Sequence, residues 1–208
     1  MHRDMLPVHL RIETRTGAAA LPLLPALARL RTEVFRDWPY LYDGEESYES
    51  GYLRAYAEGP GAAIVVALDG EQVVGAATCQ PMEAAHGPVR DAFRARGLDP
   101  AEFCYFGESV LRRAYRGRGA GVAFFEHREA HARNLGLDHA AFCAVVREPS
   151  DPRRPADYVA LDQFWRRRGY TPLPDLTCVF DWREVGAAGE TPHTLSFWIK
   201  TLSGAALP

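Results

Sequence analysis

The chain has 208 residues, 47% of them apolar and 25% charged, with a formal net charge of −3. That length suits one domain with a single sizeable core, and the slightly acidic balance excludes a dedicated nucleic-acid binder. The basic clusters Arg112-Arg113, Arg153-Arg154 and Arg166-Arg167-Arg168 are local and read as solvated faces. No run reaches the roughly 18 apolar residues of a membrane helix and no apolar signal segment opens the chain, which predicts a cytoplasmic protein with no membrane partner. Cys79, Cys104, Cys143 and Cys178 are widely spaced inside apolar runs. Without a C-x-x-C or a Cys/His pair at metal spacing, they read as buried free thiols in a reducing compartment.

The elements follow in chain order. A strand is expected at His9 to Thr14, then a helix from Leu21 to Phe35, where Leu23, Leu24, Leu27, Leu30 and Val34 fall at helical spacing. A second helix spans Glu45 to Glu58, after the aromatic loop Trp38-Pro39-Tyr40-Leu41-Tyr42-Asp43-Gly44. The strands Ala62 to Leu68 and Gln72 to Thr78 flank Asp69-Gly70, a strong hairpin signal. An insert at about 81–102 holds a short helix, Pro88 to Arg96, ended by Gly97. Next come the strand Phe103 to Arg112, a glycine-rich turn, a helix from Gly119 to Leu135 and the strand His139 to Arg147. After the proline-rich linker Pro149 to Pro155, a helix is expected from Ala156 to Arg168, halted by Gly169, and then two strands, Thr177 to Trp182 and Leu195 to Thr201. The order β-α-α-β-β-(α)-β-α-β-α-β-β predicts an α/β (α+β) layer structure: one domain over 1–208, a mixed and mostly antiparallel sheet flanked by helices. The long C-terminal hairpin leaves edges to cover, so a homodimer is possible on these grounds.

The most informative stretch is Tyr115-Arg116-Gly117-Arg118-Gly119-Ala120-Gly121. Glycines at a strand-to-helix turn let backbone N–H groups approach a ligand, and the helix start adds its own unpaired N–H groups and dipole. This is a cradle for a pyrophosphate or similar anion. It is not a P-loop, since Gly-Lys-Ser/Thr is absent, nor a dinucleotide fingerprint, since Val122 stands where the third glycine belongs.

Arg116-x-x-Gly119-x-Gly121 resembles the acetyl-CoA-binding motif of the GNAT N-acetyltransferase superfamily, Gln/Arg-x-x-Gly-x-Gly/Ala. Gln163-Phe164-Trp165-Arg166-Arg167-Arg168-Gly169-Tyr170 resembles that family's late aromatic-Tyr-x-x-x-Gly-Phe segment, and the element order agrees along nearly the whole chain. The resemblance implies acetyl-CoA as co-substrate and transfer of an acetyl group to an amine by direct attack, the acceptor being a small molecule or a peptide. It places backbone groups of Val110, Leu111 and Arg113 on the pantetheine arm, and those of Arg116, Gly117, Arg118, Gly119, Ala120 and Gly121 on the pyrophosphate. Trp165 stands where some members carry a proton-donating tyrosine, and its indole cannot serve that way. It is therefore assigned to packing against the cofactor arm, and Tyr158 becomes the candidate acid, the alternative being a thiolate that leaves unassisted and is protonated by water. The same substitution keeps open a second reading, a non-catalytic acyl-CoA sensor.

Glu108, in the otherwise apolar strand Phe106-Gly107-Glu108-Ser109-Val110, is the candidate base. Burial would raise its pKa toward a useful value. The alternative is a strand glutamate facing water or paired with an arginine. Trp38, Tyr40, Tyr42 and Asp43 are expected to receive the acceptor, because aromatic faces beside carboxylates suit a cationic amine; the alternative is a solvated acidic loop with its aromatics in the core. His127 and His131 lie four apart on one helix without a third ligand, so no metal is assigned.

Overall fold

The computed structural model describes residues 10–204; His9, at the start of the first expected strand, lies outside them. The elements are β1 (Arg11–Arg15), α1 (Leu24–Phe35), α2 (Glu46–Glu58), β2 (Ala63–Asp69), β3 (Gln72–Pro81), α3 (Gly87–Ala95), β4 (Phe103–Leu111), α4 (Ala120–Asn134), β5 (His139–Val145), α5 (Asp162–Arg166), β6 (Thr171–Arg183) and β7 (Glu190–Thr201). This is the expected order. All seven strands form one sheet, β1-β2-β3-β4-β5-β7-β6, antiparallel throughout except where β4 meets β5.

Period-2 alternation explains the layering. In β2, Ile64, Val66 and Leu68 join the core under α1 and α2, while Ala63, Val65 and Ala67 pack toward α4. A strand covered on both faces must be apolar on both, which is why this one reads as a continuous apolar run. α1 contributes Leu24, Leu27 and Leu30, and α2 contributes Leu53 and Tyr56. On the other half of the same face α3 presses Phe93 edge-on against Phe103 and Phe197, at ring separations of 4.9 and 5.1 Å. Truncating such a fully buried phenylalanine costs about 3–5 kcal/mol, so the insert is part of the core. α4 covers the opposite face with Phe124, Phe125 and Ala132.

Three expectations need correction. The helix expected from Ala156 to Arg168 shrinks to α5, Asp162–Arg166, and residues 156–161 run as loop. Asp157, Tyr158 and Val159 are weak helix formers, and the first two are tied to Arg113 and Trp38. Leu21–Leu23 forms a separate 3-10 turn before α1. Both C-terminal strands begin early: β7 at Glu190, by five residues, and β6 at Thr171, by six, with a register shift between Leu173 and Thr177. Pro172 and Pro174 mask that extension, and an edge strand tolerates them because a missing N–H can face away from its partner. No described helix is long and apolar enough to cross a membrane.

Candidate functional site

The site begins where pairing stops. β4 and β5 are parallel and pair only at Phe103↔His139, Cys104↔Ala140 and Tyr105↔Ala141, although β4 continues to Leu111 and β5 to Val145. Beyond Tyr105 the strands part, and a cleft of about 1170 Å³ opens between them. The Arg112 N–H donates to Val74 O at 3.0 Å. Antiparallel alternation then turns the Val110 main chain toward β3 and those of Ser109 and Leu111 toward the gap. The Val110 side chain is buried in the α1/α2 core, so neither part of Val110 faces the cleft. Leu111 lines it, and its carbonyl accepts from Arg116 Nε at 3.3 Å.

The glycine turn closes one end. Gly117 and Gly119 have φ of +76° and +87°, values that L side chains rarely adopt, and a Cβ on either would meet nothing within 4 Å. Gly119 is the N-cap of α4, whose first-turn N–H groups start with no intrahelical partner. The backbone here is bare and open, as an anion cradle requires. Arg113, Arg116, Gly117, Gly119 and Gly121 line the cleft. Arg118 lies over the Tyr115 ring and Ala120 is buried as a whole residue; neither lines the cleft. A Cβ on Gly121 would sit 3.3 Å from Phe164, so that glycine lets α5 pack on α4. Trp165 lines the cleft, wedged between Phe142 and Trp198 at 5.1 Å from each.

Glu108 reaches the other end by a β-bulge. Cys104 and Phe106 pack toward α4, so strict alternation would aim Glu108 there too. Instead Cys79 pairs with Phe106 and Thr78 with Glu108, leaving Gly107 as an extra residue that reverses the phase of the strand. Past it, Glu108 meets Arg31 of α1 and Val110 enters the α1/α2 core. Gly107 makes this possible: a Cβ would lie 2.7 Å from Thr78 Oγ1 and 2.9 Å from Tyr56 Cζ, with Tyr56 Oη closer still. Glu108 is therefore buried, with its side chain 5% exposed, but ion-paired with Arg31 rather than isolated among apolar groups.

Arg31 has a second carboxylate partner, Glu49 of α2, whose Oε1 accepts from Tyr42 Oη at 2.7 Å. Sequence reasoning missed both, yet the signal was present. Arg31 continues the buried stripe Leu24–Leu27 of α1, and Glu49 shares the buried face of α2 with Leu53 and Tyr56. Opposite charges on the apolar stripes of adjacent helices imply a buried pair. Arg128 was missed for the same reason. It lies on the buried face of α4 with Phe124 and Phe125, stacks 4.3 Å over the Phe106 ring and donates to the Glu108 carbonyl at 3.1 Å. It holds the bulged strand against α4 across the gap, and burial lowers its pKa from the ordinary value.

The expected acceptor residues divide. Trp38 and Tyr40 line the cleft. Tyr42 is turned to Glu49, and Asp43 is held by Arg36 and Arg183 at 2.9 and 3.2 Å; neither lines it. Tyr158 reaches the cleft from the loop, edge-on to Trp38 at 6.1 Å. Burial, then the Asp162 carboxylate, raises its phenol above the usual range. Asp157 of this loop pairs with Arg113 at 2.5 Å, tying the loop to the glycine-turn end of the cleft. His127 meets Thr14 Oγ1 and His131 meets Gly61 O, each at 2.9 Å.

The fold has many solved relatives. A putative acetyltransferase from Acinetobacter baylyi is 12% identical with a TM-score of 0.63, covering 98% of each chain. A ribosomal-protein-alanine N-acetyltransferase from Brucella melitensis is 18% identical with a TM-score of 0.60, covering 92% of this chain and 99% of its own. A putative acetyltransferase from Salmonella typhimurium, solved with its cofactor acetyl-CoA, is 14% identical with a TM-score of 0.58, covering 95% and 97%. No curated protein matches. The model of the acetyltransferase (GNAT) family matches residues 27–156, more than half the chain, a span that runs from α1 through β4, the glycine turn and β5 to the loop bearing Pro155. The chain belongs to the GNAT family of acetyltransferases.

Proposed function

We propose that this chain transfers an acetyl group from acetyl-CoA to a primary amine by direct attack of the amine on the thioester, with Glu108 receiving the amine's proton. The observation that carries the reading is the Gly107 bulge, which turns a buried carboxylate to the side of the β4/β5 gap where Phe35, Trp38 and Tyr40 line the cleft. The residues present fit the co-substrate. Ser109 and Leu111 offer an open strand edge to the pantetheine amides, and the bare backbone from Gly117 to Gly121 suits the pyrophosphate, with Arg113 and Arg116 adding positive charge. In this reading the outward-facing N–H of Ser109 donates to the carbonyl oxygen as it gains charge.

Tyr158 is the proton donor for the leaving thiolate in this reading, since its phenol keeps its proton at neutral pH. Trp165, fixed between two aromatic rings, shapes the floor. The acceptor enters past Trp38 and Tyr40, whose ring faces suit an ammonium group.

Thiol release from acetyl-CoA against a panel of primary amines, with calorimetry on acetyl-CoA alone, tests this. Binding with amine-dependent thiol release is expected, and Glu108→Gln should lower the rate at least ten-fold with affinity for acetyl-CoA kept. Binding without turnover across the panel would favour a non-catalytic acyl-CoA sensor, the reading that the tryptophan at position 165 keeps in play. No binding would overturn both.

A further inference from the structure

Two carboxylates from different elements, Glu49 and Glu108, share one guanidinium, Arg31. Side-chain exposure is 0% for Glu49, 5% for Glu108 and 10% for Arg31, so water screens the three charges poorly. Arg31 is sandwiched as well, with its guanidinium carbon 4.4 Å from the Tyr52 ring and 5.1 Å from that of Phe35. It presents Nε to Glu49 and Nη1 to Glu108. Glu49 in turn spends its other oxygen on Tyr42 Oη. Of these carboxylates only Glu108 lines the cleft; Glu49 lies behind it and touches nothing there.

A carboxylate that owns an arginine outright is a poor base, because the cation stabilises its charged form. Arg31 is not owned outright. Resting on the reading of Glu108 as the base, we propose that Glu49 is a positioning residue that keeps Glu108 basic by drawing off part of Arg31. Glu49 anchors the guanidinium against α2, so Glu108 shares the cation instead of holding it alone, and the second carboxylate offsets it. The cluster carries one surplus negative charge, which favours uptake of the acceptor's proton at Glu108. The other groups packed around Glu108 do not compensate this surplus. Around Arg31 and Glu108 these are the neutral phenols of Tyr40, Tyr42, Tyr52 and Tyr56, Thr78 of β3, and Arg128 of α4, which bonds the Glu108 carbonyl rather than its carboxylate.

The test is the pH dependence of kcat. The wild type should show an acidic limb that Glu108→Gln removes; absence of turnover or of that limb would refute the base itself, a separate failure. Given the limb, Glu49→Gln leaves Arg31 to Glu108 alone. The limb should then move about one pH unit lower, with kcat on the plateau falling about ten-fold and acetyl-CoA affinity unchanged. Arg31→Gln sets two carboxylates together without a cation, so the limb should move about one unit or more higher. Glu49→Asp, which keeps the charge, should restore the limb toward its wild-type place. A purely structural role for Glu49 predicts lower stability with an unmoved limb. Unmoved limbs in folded variants would therefore overturn the proposal, and a shift of the stated sign in either one supports it. Loss of fold in both would also overturn it, since the cluster would then be a structural ion network.

Discussion

Gly107→Ala tests how the bulge works with the smallest possible perturbation. Gly107 is not among the glycines with positive φ, so its requirement is steric. An added Cβ would stand 2.7 Å from Thr78 Oγ1 and nearer still to Tyr56 Oη, and both residues are at most 3% exposed. Ordinary contact begins near 3.4 Å, so Thr78 must give about 0.7 Å and Tyr56 more. Neither can swing into water. Overpacking of this kind costs about 1–3 kcal/mol, and the double clash argues for the upper half of that range. At about 2–4 °C per kcal/mol for a chain of this size, the melting temperature should fall by about 4–12 °C. The catalytic effect should be larger than the stability effect, because Glu108 is the next residue and a displacement near 1 Å can cost about a hundred-fold in rate. The assay is thermal melting beside amine-dependent thiol release, with calorimetry on acetyl-CoA. The expected pattern is a lowered melting temperature, kcat down about a hundred-fold, and cofactor affinity within about two-fold of wild type, since the open edge at Leu111 and the glycine turn lie beyond the bulge. A Gly107→Ala protein with wild-type melting and kcat would refute the account of Glu108 orientation.

Gly119→Glu should weaken acetyl-CoA binding at least a hundred-fold by calorimetry, as it puts a carboxylate and a strained φ of +87° into the anion cradle; near-normal affinity would move the pyrophosphate elsewhere. Lys200→Met removes the ammonium that bonds both oxygens of the buried Glu129 at 2.8 Å. With Tyr170 and Arg133 still in contact, a loss of about 2 kcal/mol in urea unfolding is expected, below the full cost of stranding a buried charge. Arg153 holds the Asp151 carboxyl at about 2, down from an ordinary 3.8, and, after the opposing effect of burial, also helps lower that of Glu184. A depressed carboxylate stabilises above its unfolded pKa and loses that contribution as pH falls through the folded one. The gap in urea midpoint between wild type and Arg153→Ala should therefore hold above pH 4 and close between about 4 and 2; a gap that stays open at pH 2 would contradict the pairing.

What could be read from the chain was local. Asp69-Gly70 marks the β2–β3 hairpin, the β2 run announces a strand covered on both faces, and Arg116 to Gly121 marks a strand-to-helix turn because three glycines there have few other uses. What could not be read depends on register or on partners distant in sequence. No local pattern shows that Gly107 is the extra residue in a bulge, since this emerges only when Phe106 and Glu108 are paired with Cys79 and Thr78. Tyr42 and Asp43 sit beside Trp38 and Tyr40 in sequence, but Glu49 draws one away and Arg36 and Arg183 the other. The loop carrying Tyr158 reads as helix, and what holds it otherwise, Arg113 on Asp157 and Trp38 on Tyr158, is distant in sequence.

The short parallel seam between β4 and β5 has a wider consequence. With pairing only from Phe103 to Tyr105, the sheet is two antiparallel panels, β1 to β4 and β5-β7-β6, held by a narrow seam, by α4 on one face and by Phe93 of α3 on the other. An extended chain of amides laid into the opening would act as a partial eighth strand, adding rungs that the polypeptide itself lacks. Filling the cleft would then mend the sheet as well as deliver a reactive group, and the two panels would resist separation in proportion to how fully the opening is occupied.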